Sequence, residues 1–173
     1  MSSDPESAAS GELRELRQTL GGFATGVVVV TCRGTDGPCG ITANSFSSVS
    51  LEPPLVLWNI AKVSNSLRAY IDAEYFAINV LSADQIGLSS HFAQSDHTSF
   101  KAIEFSETGE GVPILPETLA CLECRTQEVH DCGDHYIIVG EVERHRIDQG
   151  EPLLFFRGQY AAIANSSDGE PTL

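Results

Sequence analysis

The sequence predicts one domain that is mainly β, with short helices between some of the strands. Three observations indicate this fold class: several short runs rich in β-branched residues, turn residues between those runs, and helical spacing of apolar residues in only a few short segments. The 173 residues have the length of a single domain. Many strands with few helices favour a β-barrel with helical decoration over a doubly wound parallel sheet.

The first part of the chain begins with a helix and continues with strands. Helical spacing of three leucines predicts a helix over 12–20 that ends at two glycines. The run 26–32 predicts a strand, and Asp36-Gly37 predicts a turn into a second one. Pro53-Pro54 forces extended backbone before a third, buried strand over 55–60. The apolar face of the helix consists of Leu13, Leu16 and Leu20.

The second part alternates short helices and strands. Ser64-Asn65-Ser66 are N-cap types and precede a short helix, the run 76–81 predicts a strand, and a second short helix follows up to about residue 92. Residues 93–118 have mixed composition and predict an irregular excursion. Three more strands are expected over 119–130, 135–147 and 157–164. We expect flexible tails at 1–11 and 165–173 around a domain over 12–164.

Composition excludes several classes of partner. The chain has 24 acidic and 10 basic residues and a formal net charge of -14, so we expect neither nucleic acid nor an anionic membrane surface as a partner. No apolar run reaches the ~20 residues of a membrane span. The first ten residues have no basic region and no apolar core, so we expect no signal peptide and a cytoplasmic protein.

The stretch 40–60 is rich in hydroxyl and amide side chains and poor in acids. Glu52 is the only acidic residue within 37–71, although the chain as a whole is strongly acidic. Neutral donors with little negative charge nearby suit an anionic ligand. The alternative interpretation is a serine-rich loop that only caps strands.

A second polar segment follows directly. Lys62 and Arg68 flank Ser64 and Ser66 at a helix start, and free N–H groups at a helix N-terminus favour phosphate. An ordinary N-cap with two solvated cations remains the alternative.

The tripeptide Gly133-Asp134-His135 precedes an apolar strand. Glycine permits a tight turn, and the aspartate is placed to hold the neighbouring imidazole or to cap the turn. A hairpin turn with an incidental histidine is the alternative. The sequence contains no GxSxG, GxGxxG or GxxxxGK[ST] motif, so a hydrolase, a Rossmann site and a P-loop have no support.

The five cysteines are an odd number, which disfavours a fully paired disulfide framework. Cys121, Cys124 and Cys132 lie near two histidines and resemble zinc ligands. If 119–130 is a strand, however, Cys121 and Cys124 point to opposite faces and cannot share one tetrahedral metal. We therefore expect no metal site, and reduced, half-buried cysteines.

Several motifs occur together in a recognisable order: 25–31 (TGVVVVT), 40–60 (GITANSFSSVSLEPPLVLWNI), the helix start Ser64-x-Ser66, 76–93 (FAINVLSADQIGLSSHFA), 133–135 (GDH) and 152–163 (PLLFFRGQYAAI). Together they resemble the flavin reductase-like family, the NAD(P)H:flavin oxidoreductases that partner two-component flavin monooxygenases. The resemblance covers roughly residues 12–164. It implies a split β-barrel, binding of FMN or FAD, and a homodimer.

The resemblance also implies site residues. The first flavin segment corresponds to Thr42, Ala43, Asn44, Ser45, Ser48, Val49 and Ser50. The second flavin segment corresponds to Asn59, Ile60, Ala61, Ser64 and Ser66, and Phe92 matches an aromatic residue close to the flavin. His135 matches the residue associated with nicotinamide binding, and Tyr160 lies where the C-terminal strand approaches the same site.

Three functions are compatible with these residues. The first is a flavin reductase that passes hydride from NADH or NADPH to FMN or FAD and supplies a separate monooxygenase; the scarcity of arginines favours NADH. The second is an oxidoreductase that retains its flavin and acts on another small molecule, and the third is a non-catalytic flavin- or haem-binding module. Hydride transfer is chemistry of the cofactors themselves, so the protein needs no nucleophile. We therefore expect His135 to position the dinucleotide rather than to donate an obligatory proton.

Overall fold

The computed structural model describes residues 5–94 and 100–163, with side chains from residue 11 onward. The helices are α1 (Pro5–Leu20), α2 (Leu67–Ile71) and α3 (Ile86–Ala93), and a 3₁₀ turn (Ala83–Gln85) leads into α3. The strands are β1 (Thr25–Gly26), β2 (Val28–Gly34), β3 (Gly37–Ala43), β4 (Ser47–Leu51), β5 (Pro54–Ala61), β6 (Tyr75–Val80), β7 (Ser106–Glu107), β8 (Pro113–Ile114), β9 (Ala120–Cys132), β10 (His135–Ile147), β11 (Leu154–Phe156) and β12 (Gln159–Ala161).

Seven of the strands form one antiparallel sheet in the order β3-β2-β6-β9-β10-β5-β4. Within the described residues the sheet keeps β3 and β4 as open edges and does not close on itself. A smaller sheet of β1, β11 and β12 lies beside it, and β7 pairs with β8. The prediction of a mainly β fold with few short helices is confirmed.

The core follows from strand alternation. On β5 the side chains of Val56, Trp58 and Ile60 are buried, whereas those between them are only half-buried. The buried set packs with β2, β6 and β10 into one apolar cluster, and Trp58 lies edge-on to Tyr70 of α2 at 5.0 Å. The other face of β5, which carries Asn59 and Ala61, is therefore available for a site.

One buried amide connects the excursion after α3 to the sheet. Asn79 Nδ2 donates to the Val29 carbonyl and to the Thr31 hydroxyl, each at 3.1 Å, and Asn79 Oδ1 accepts from the Leu115 amide at 3.0 Å. Each end of this fully buried side chain is thus satisfied.

Several element boundaries differ from the sequence predictions. Helix α1 begins at Pro5, within the predicted tail, and strand β4 was not predicted at all. The excursion 93–118 contains the short pair β7–β8. The predicted strand 157–164 is too long: only β12 within it is a strand, and a turn at Arg157-Gly158, both with positive φ, separates β12 from β11, which was not predicted. The predicted tail 165–173 and the first four residues of the predicted N-terminal tail lie outside the described residues.

Cys121 and Cys124 point to opposite faces of β9, as strand geometry predicted. Cys121 packs against Ala77 and Val112, whereas Cys124 belongs to the main core cluster on the other face of β9. Burial raises the pKa of the Cys121 thiol to about 11 and that of Cys124 to about 12. In the part of the chain that is described, no group of three metal-ligating side chains comes together. No helix there is long and apolar enough to cross a membrane.

Candidate active site

A first cavity lies at the end of β3. Its volume is about 160 Å³, and we call it the Thr42 cavity. It is lined by Val27, Thr42, Ala43, Asn44, Ser89, Ala93, Phe155 and Tyr160. The Thr42 hydroxyl donates to the Ser89 carbonyl at 2.7 Å, and the Ser89 and Tyr160 hydroxyls lie 2.8 Å apart. Hydrogen bonds therefore join β3, α3 and β12 around this cavity.

A second cavity adjoins the first through Ala93, which lines both. Its volume is about 240 Å³, and we call it the Ser64 cavity. It is lined by Gly40, Ile41, Ala61, Val63, Ser64, Asn65, Ser66, Phe92, Ala93 and Gln94. The Ser64 and Ser66 hydroxyls are 3.2 Å apart. Among the described residues, no acidic or basic side chain lines either cavity.

Gly40 allows the aromatic wall of the Ser64 cavity to form. An ideal Cβ on Gly40 would lie 2.5 Å from Cε1 of Phe92, a separation that carbon atoms do not adopt without displacement. Phe92 is 2% exposed and stacks at a tilt on Phe100 at 5.1 Å. The absence of a side chain at this position therefore fixes where the ring lies.

Ser45 and Asn59 connect the two predicted flavin segments. The Asn59 amide donates to Ser45 Oγ at 3.0 Å, and Ser45 Oγ lies 3.2 Å from the Asn59 carbonyl, to which it donates. The Ser45 hydroxyl is thus occupied with backbone. Asn59 Oδ1, by contrast, is buried and has no hydrogen-bond partner among the described residues. A buried, unpaired acceptor is costly, so it indicates a group that a ligand satisfies.

His135 lies opposite the wall of the Ser64 cavity. Gly133 and Asp134 form a two-residue turn between β9 and β10, with φ of +62° at Gly133, the first central position. In the ladder His135 pairs directly with Ala61, so the two side chains share one face of the sheet. The Asp134 carbonyl accepts from the Lys62 amide at 2.9 Å, which holds the turn against β5.

The imidazole of His135 is held by its neighbour. His135 Nδ1 lies 2.7 Å from Asp134 Oδ1, and this hydrogen bond, together with the charge of the ring, lowers the pKa of the Asp134 carboxyl. The charge of Arg17 in α1 adds a smaller contribution that lowers the same pKa. The prediction that the aspartate holds the ring agrees with this geometry.

An arginine cluster was missed by the sequence analysis. Arg14, Arg17 and Arg157 line a cavity of about 590 Å³ between the end of α1 and the β11–β12 turn. Glu15 is its one acidic lining residue. Arg17 and Arg157 are 140 residues apart in the sequence. The only local signal for the cluster was the spacing of three residues between Arg14 and Arg17, which puts them on one side of a helix.

Some predicted site residues are not brought to the cavities. The Ile60 side chain is buried in the core, so only its backbone is available to a ligand. Ser48, Val49 and Ser50 lie on the edge strand β4, and Val49 is at a bulge. None of these four lines the Thr42 or the Ser64 cavity, and neither do Ser45, Asn59 and His135.

The cations of the predicted phosphate site each face an acid. Lys62 Nζ lies 2.5 Å from Asp131, and Arg68 lies 3.4 Å from Asp72 one helical turn away. Helix α2 has only five residues, and its N-cap Ser66 makes no side-chain capping bond. The hydroxyls of Ser64 and Ser66 reach the cavity, but the two cations do not line it.

A model of the flavin reductase-like domain matches residues 20–164 of the chain. The chain belongs to this family. The flavin reductase-like chain is 50% identical over 151 residues to the FMN reductase (NADH) SmoA of Agrobacterium fabrum, a match that covers 87% of this chain and 86% of that protein. The family prediction made from the motifs is therefore confirmed.

Solved structures with the same fold belong to related proteins. Nitrilotriacetate monooxygenase component B from Mycobacterium thermoresistibile is 33% identical, with a TM-score of 0.88 over 95% of this chain and 94% of that one. An NADH:FAD oxidoreductase of Streptomyces globisporus, solved with NAD and FAD fragments, is 35% identical, with a TM-score of 0.85 over 97% and 99% of the two chains. The neighbours have the split-barrel fold that the resemblance implied.

The residues around the two cavities fit a flavin. The cavities combine apolar walls, the Phe92 ring and neutral hydroxyls, and the unsatisfied acceptor Asn59 Oδ1 belongs to β5, two residues from Ala61 in the wall of the Ser64 cavity. A flavin has a flat apolar ring system with hydrogen-bonding groups at one edge and a polar chain, which requires this combination of surfaces.

Proposed function

We propose that this chain is a flavin reductase that transfers hydride from NADH to FMN or FAD. The observation that carries the proposal is the direct pairing of His135 with Ala61, because it joins the histidine turn to the wall of the Ser64 cavity. Two ligands that must meet face to face need adjoining sites of this kind. The reduced flavin then leaves and supplies a separate flavin-dependent monooxygenase.

The flavin is held by the neutral side of the site, which consists of the Thr42 cavity and the Ser64 cavity. Thr42, Ala43 and Asn44 line the first cavity, and Ala61, Ser64 and Ser66 line the second, with Phe92 as the aromatic wall. Asn59 Oδ1, which has no partner among the described residues, would accept a hydrogen bond from a bound flavin. Tyr160 fixes α3 through Ser89 and so keeps the first cavity in shape. When bound, the flavin supplies the hydride-accepting chemistry, and the protein orients it.

The nicotinamide dinucleotide is held by the charged side of the site, which consists of Asp134, His135 and the arginine cluster. The Asp134 carboxylate fixes the His135 ring, which presents its other nitrogen to the incoming nicotinamide. The arginine cluster attracts the pyrophosphate, because its three guanidiniums are a local positive field in a chain of net charge -14. His135 positions this ligand and takes no proton in the hydride step.

The test is an oxidation assay of NADH and NADPH, each with added FMN, FAD and riboflavin. Activity that saturates with added FMN or FAD, and that is faster with NADH, is the expected result. Activity at a fixed, stoichiometric content of retained flavin would support an oxidoreductase that acts on another small molecule. Flavin or haem binding without oxidation of either nicotinamide would contradict the proposal and support a binding module.

We also propose that the protein is a homodimer. The leucine face of α1 and Phe23 are more than half exposed, and such a contiguous apolar face favours a second copy of the chain as its partner. Light scattering should give twice the mass of one chain. Leu16→Glu should shift the protein toward monomer, whereas Ile147→Glu, at a position 83% exposed elsewhere, should not. A monomeric wild-type protein would contradict the proposal.

A further inference from the structure

Two of the five cysteines face each other on neighbouring strands. In the β2–β3 hairpin Cys32 pairs directly with Cys39, and directly paired residues of antiparallel strands project to the same face. Such pairs have Cα atoms about 4.5–5.5 Å apart, within the 4.4–6.8 Å range of disulfides. Gly34 leaves room beside this pair, since a Cβ there would lie 3.1 Å from Cys39 Sγ.

The two thiols have different surroundings. Cys32 is fully buried, and its Sγ donates to the Ala69 carbonyl at 3.6 Å. Cys39 is half-buried and lines a cavity of about 300 Å³ that small solutes can enter. Contact with the Cys32 thiol, assisted by the Gly34 backbone, lowers the pKa of Cys39 to about 7, and the same contact raises the pKa of Cys32. The charged side chains that line this cavity are Arg33, Asp36, Arg68 and Asp72.

We propose that Cys39 is a peroxide-sensitive thiol and that Cys32 is its resolving partner, so that the β2–β3 hairpin forms an intramolecular disulfide when the protein meets hydrogen peroxide. Reduced flavin that is released into air reacts with dioxygen to give hydrogen peroxide. The source of the oxidant therefore rests on the proposed function, but the reactivity of the thiol pair does not.

The reaction has two balanced steps. The Cys39 thiolate attacks one peroxide oxygen and the O–O bond breaks, so that Cys39 becomes a sulfenic acid. The departing hydroxide takes up a proton and becomes water. The Cys32 sulfur then attacks Cys39 Sγ, the S–OH bond breaks, and the hydroxide leaves as water with the Cys32 proton. One peroxide is reduced to two waters, and two thiols are oxidised to one disulfide.

The first experiment treats the full-length reduced protein with reagent hydrogen peroxide, which makes the outcome independent of any reductase activity. Titratable thiols should fall from five to three, and a nonreduced peptide digest should show a Cys32–Cys39 link that dithiothreitol removes. Cys132→Ser, at an exposed cysteine on another strand, should still lose two thiols, whereas Cys39→Ser should lose none. Five persistent thiols, or cross-links through Cys132 alone, would overturn the proposal.

A second measurement needs no variant and so avoids any loss of folding. Peptide-resolved alkylation with iodoacetamide should give a rate for Cys39 that rises with pH through a midpoint near 7. The reason is that a thiol with a lowered pKa is already a thiolate at pH values where an ordinary thiol is still protonated. At pH 7 the thiolate fraction would be about 15-fold that of a thiol with an ordinary pKa near 8.5. Equal rates and equal pH profiles for Cys39 and Cys132 would refute the proposal.

Discussion

The two sides of the site hold their side chains in different ways. In the cavities Thr42 is fixed to the Ser89 carbonyl, the Ser64 and Ser66 hydroxyls lie 3.2 Å apart, and no acidic or basic side chain among the described residues lines the walls. At the rim the side chains of His135 and Asp134 are 45% and 95% exposed. Fixed neutral groups orient a flat ring by shape and hydrogen bonds, whereas exposed charges attract an anionic ligand without holding it long.

The largest effect is expected at Gly40. Gly40→Ala drives a methyl group into Phe92, which should cost about 1–3 kcal/mol of unfolding free energy. The same displacement should weaken flavin binding by about 100-fold, because 2.8 kcal/mol corresponds to that ratio. Isothermal titration and thermal unfolding measure the two quantities.

Gly140→Ala is the matched control for this change. A Cβ there would lie 2.4 Å from Phe76 in the core, so stability should fall by a similar amount while flavin affinity stays the same. Equal loss of flavin affinity in both variants would show that the cavity wall has no special role.

A second, smaller effect is expected from the unpaired acceptor. Asn59→Ala removes an oxygen that no described residue satisfies, so stability should change little while flavin binding weakens about tenfold. Asn79→Ala is the control, because both the Nδ2 and the Oδ1 atom of Asn79 have hydrogen-bond partners. Its loss should lower the free energy of unfolding by about 2–4 kcal/mol. If Asn59→Ala also unfolded the protein, the oxygen would have a structural role instead.

On the charged side, His135→Ala should raise the KM for NADH about tenfold and leave flavin affinity within about twofold, because one positioning contact is lost. Steady-state kinetics at saturating flavin, together with a flavin titration, separate the two ligands. Loss of flavin binding in this variant would place the histidine on the neutral side of the site.

The smallest effect is expected in the arginine cluster. Arg17→Ala should raise the KM for NADH about three- to fivefold at low salt, with the difference largely lost at about 1 M salt, since exposed charges are screened. Arg68→Ala removes the same charge from an 80% exposed side chain next to Asp72 and should leave the KM unchanged. Equal effects of the two variants would mean that only net charge matters.

The sequence predicted the strands whose signals are local. The β9–β10 hairpin was predicted nearly to its ends, because apolar residues alternate along it and Gly133-Asp134 marks the turn. Strand β4 was missed because its serines lack β-branched character, and pairing with β5 alone makes it a strand. The predicted strand at 157–164 was too long because Arg157 adopts φ of +49°, which its residue type does not indicate.

The candidate site was predictable to a similar degree. Motif order pointed to about half of the residues that line the cavities, among them Thr42, Ser64 and Phe92, but not to others such as Gly40 and Ser89. The arginine cluster and the unpaired oxygen of Asn59 arise from tertiary packing, so no local pattern indicates them. The edge-strand residues such as Val49 were included because a motif says nothing about where each side chain points.

The hydrogen-bonded series Thr42–Ser89–Tyr160 has a consequence for how the protein matures. Its three members lie far apart in the chain, since 47 residues separate Thr42 from Ser89 and 71 separate Ser89 from Tyr160. During synthesis the core of β2, β5 and β6 emerges long before β12, so the pocket for the flavin is complete only after β12 has joined it. A chain that stops before Tyr160 should therefore fold much of its core and still fail to acquire flavin.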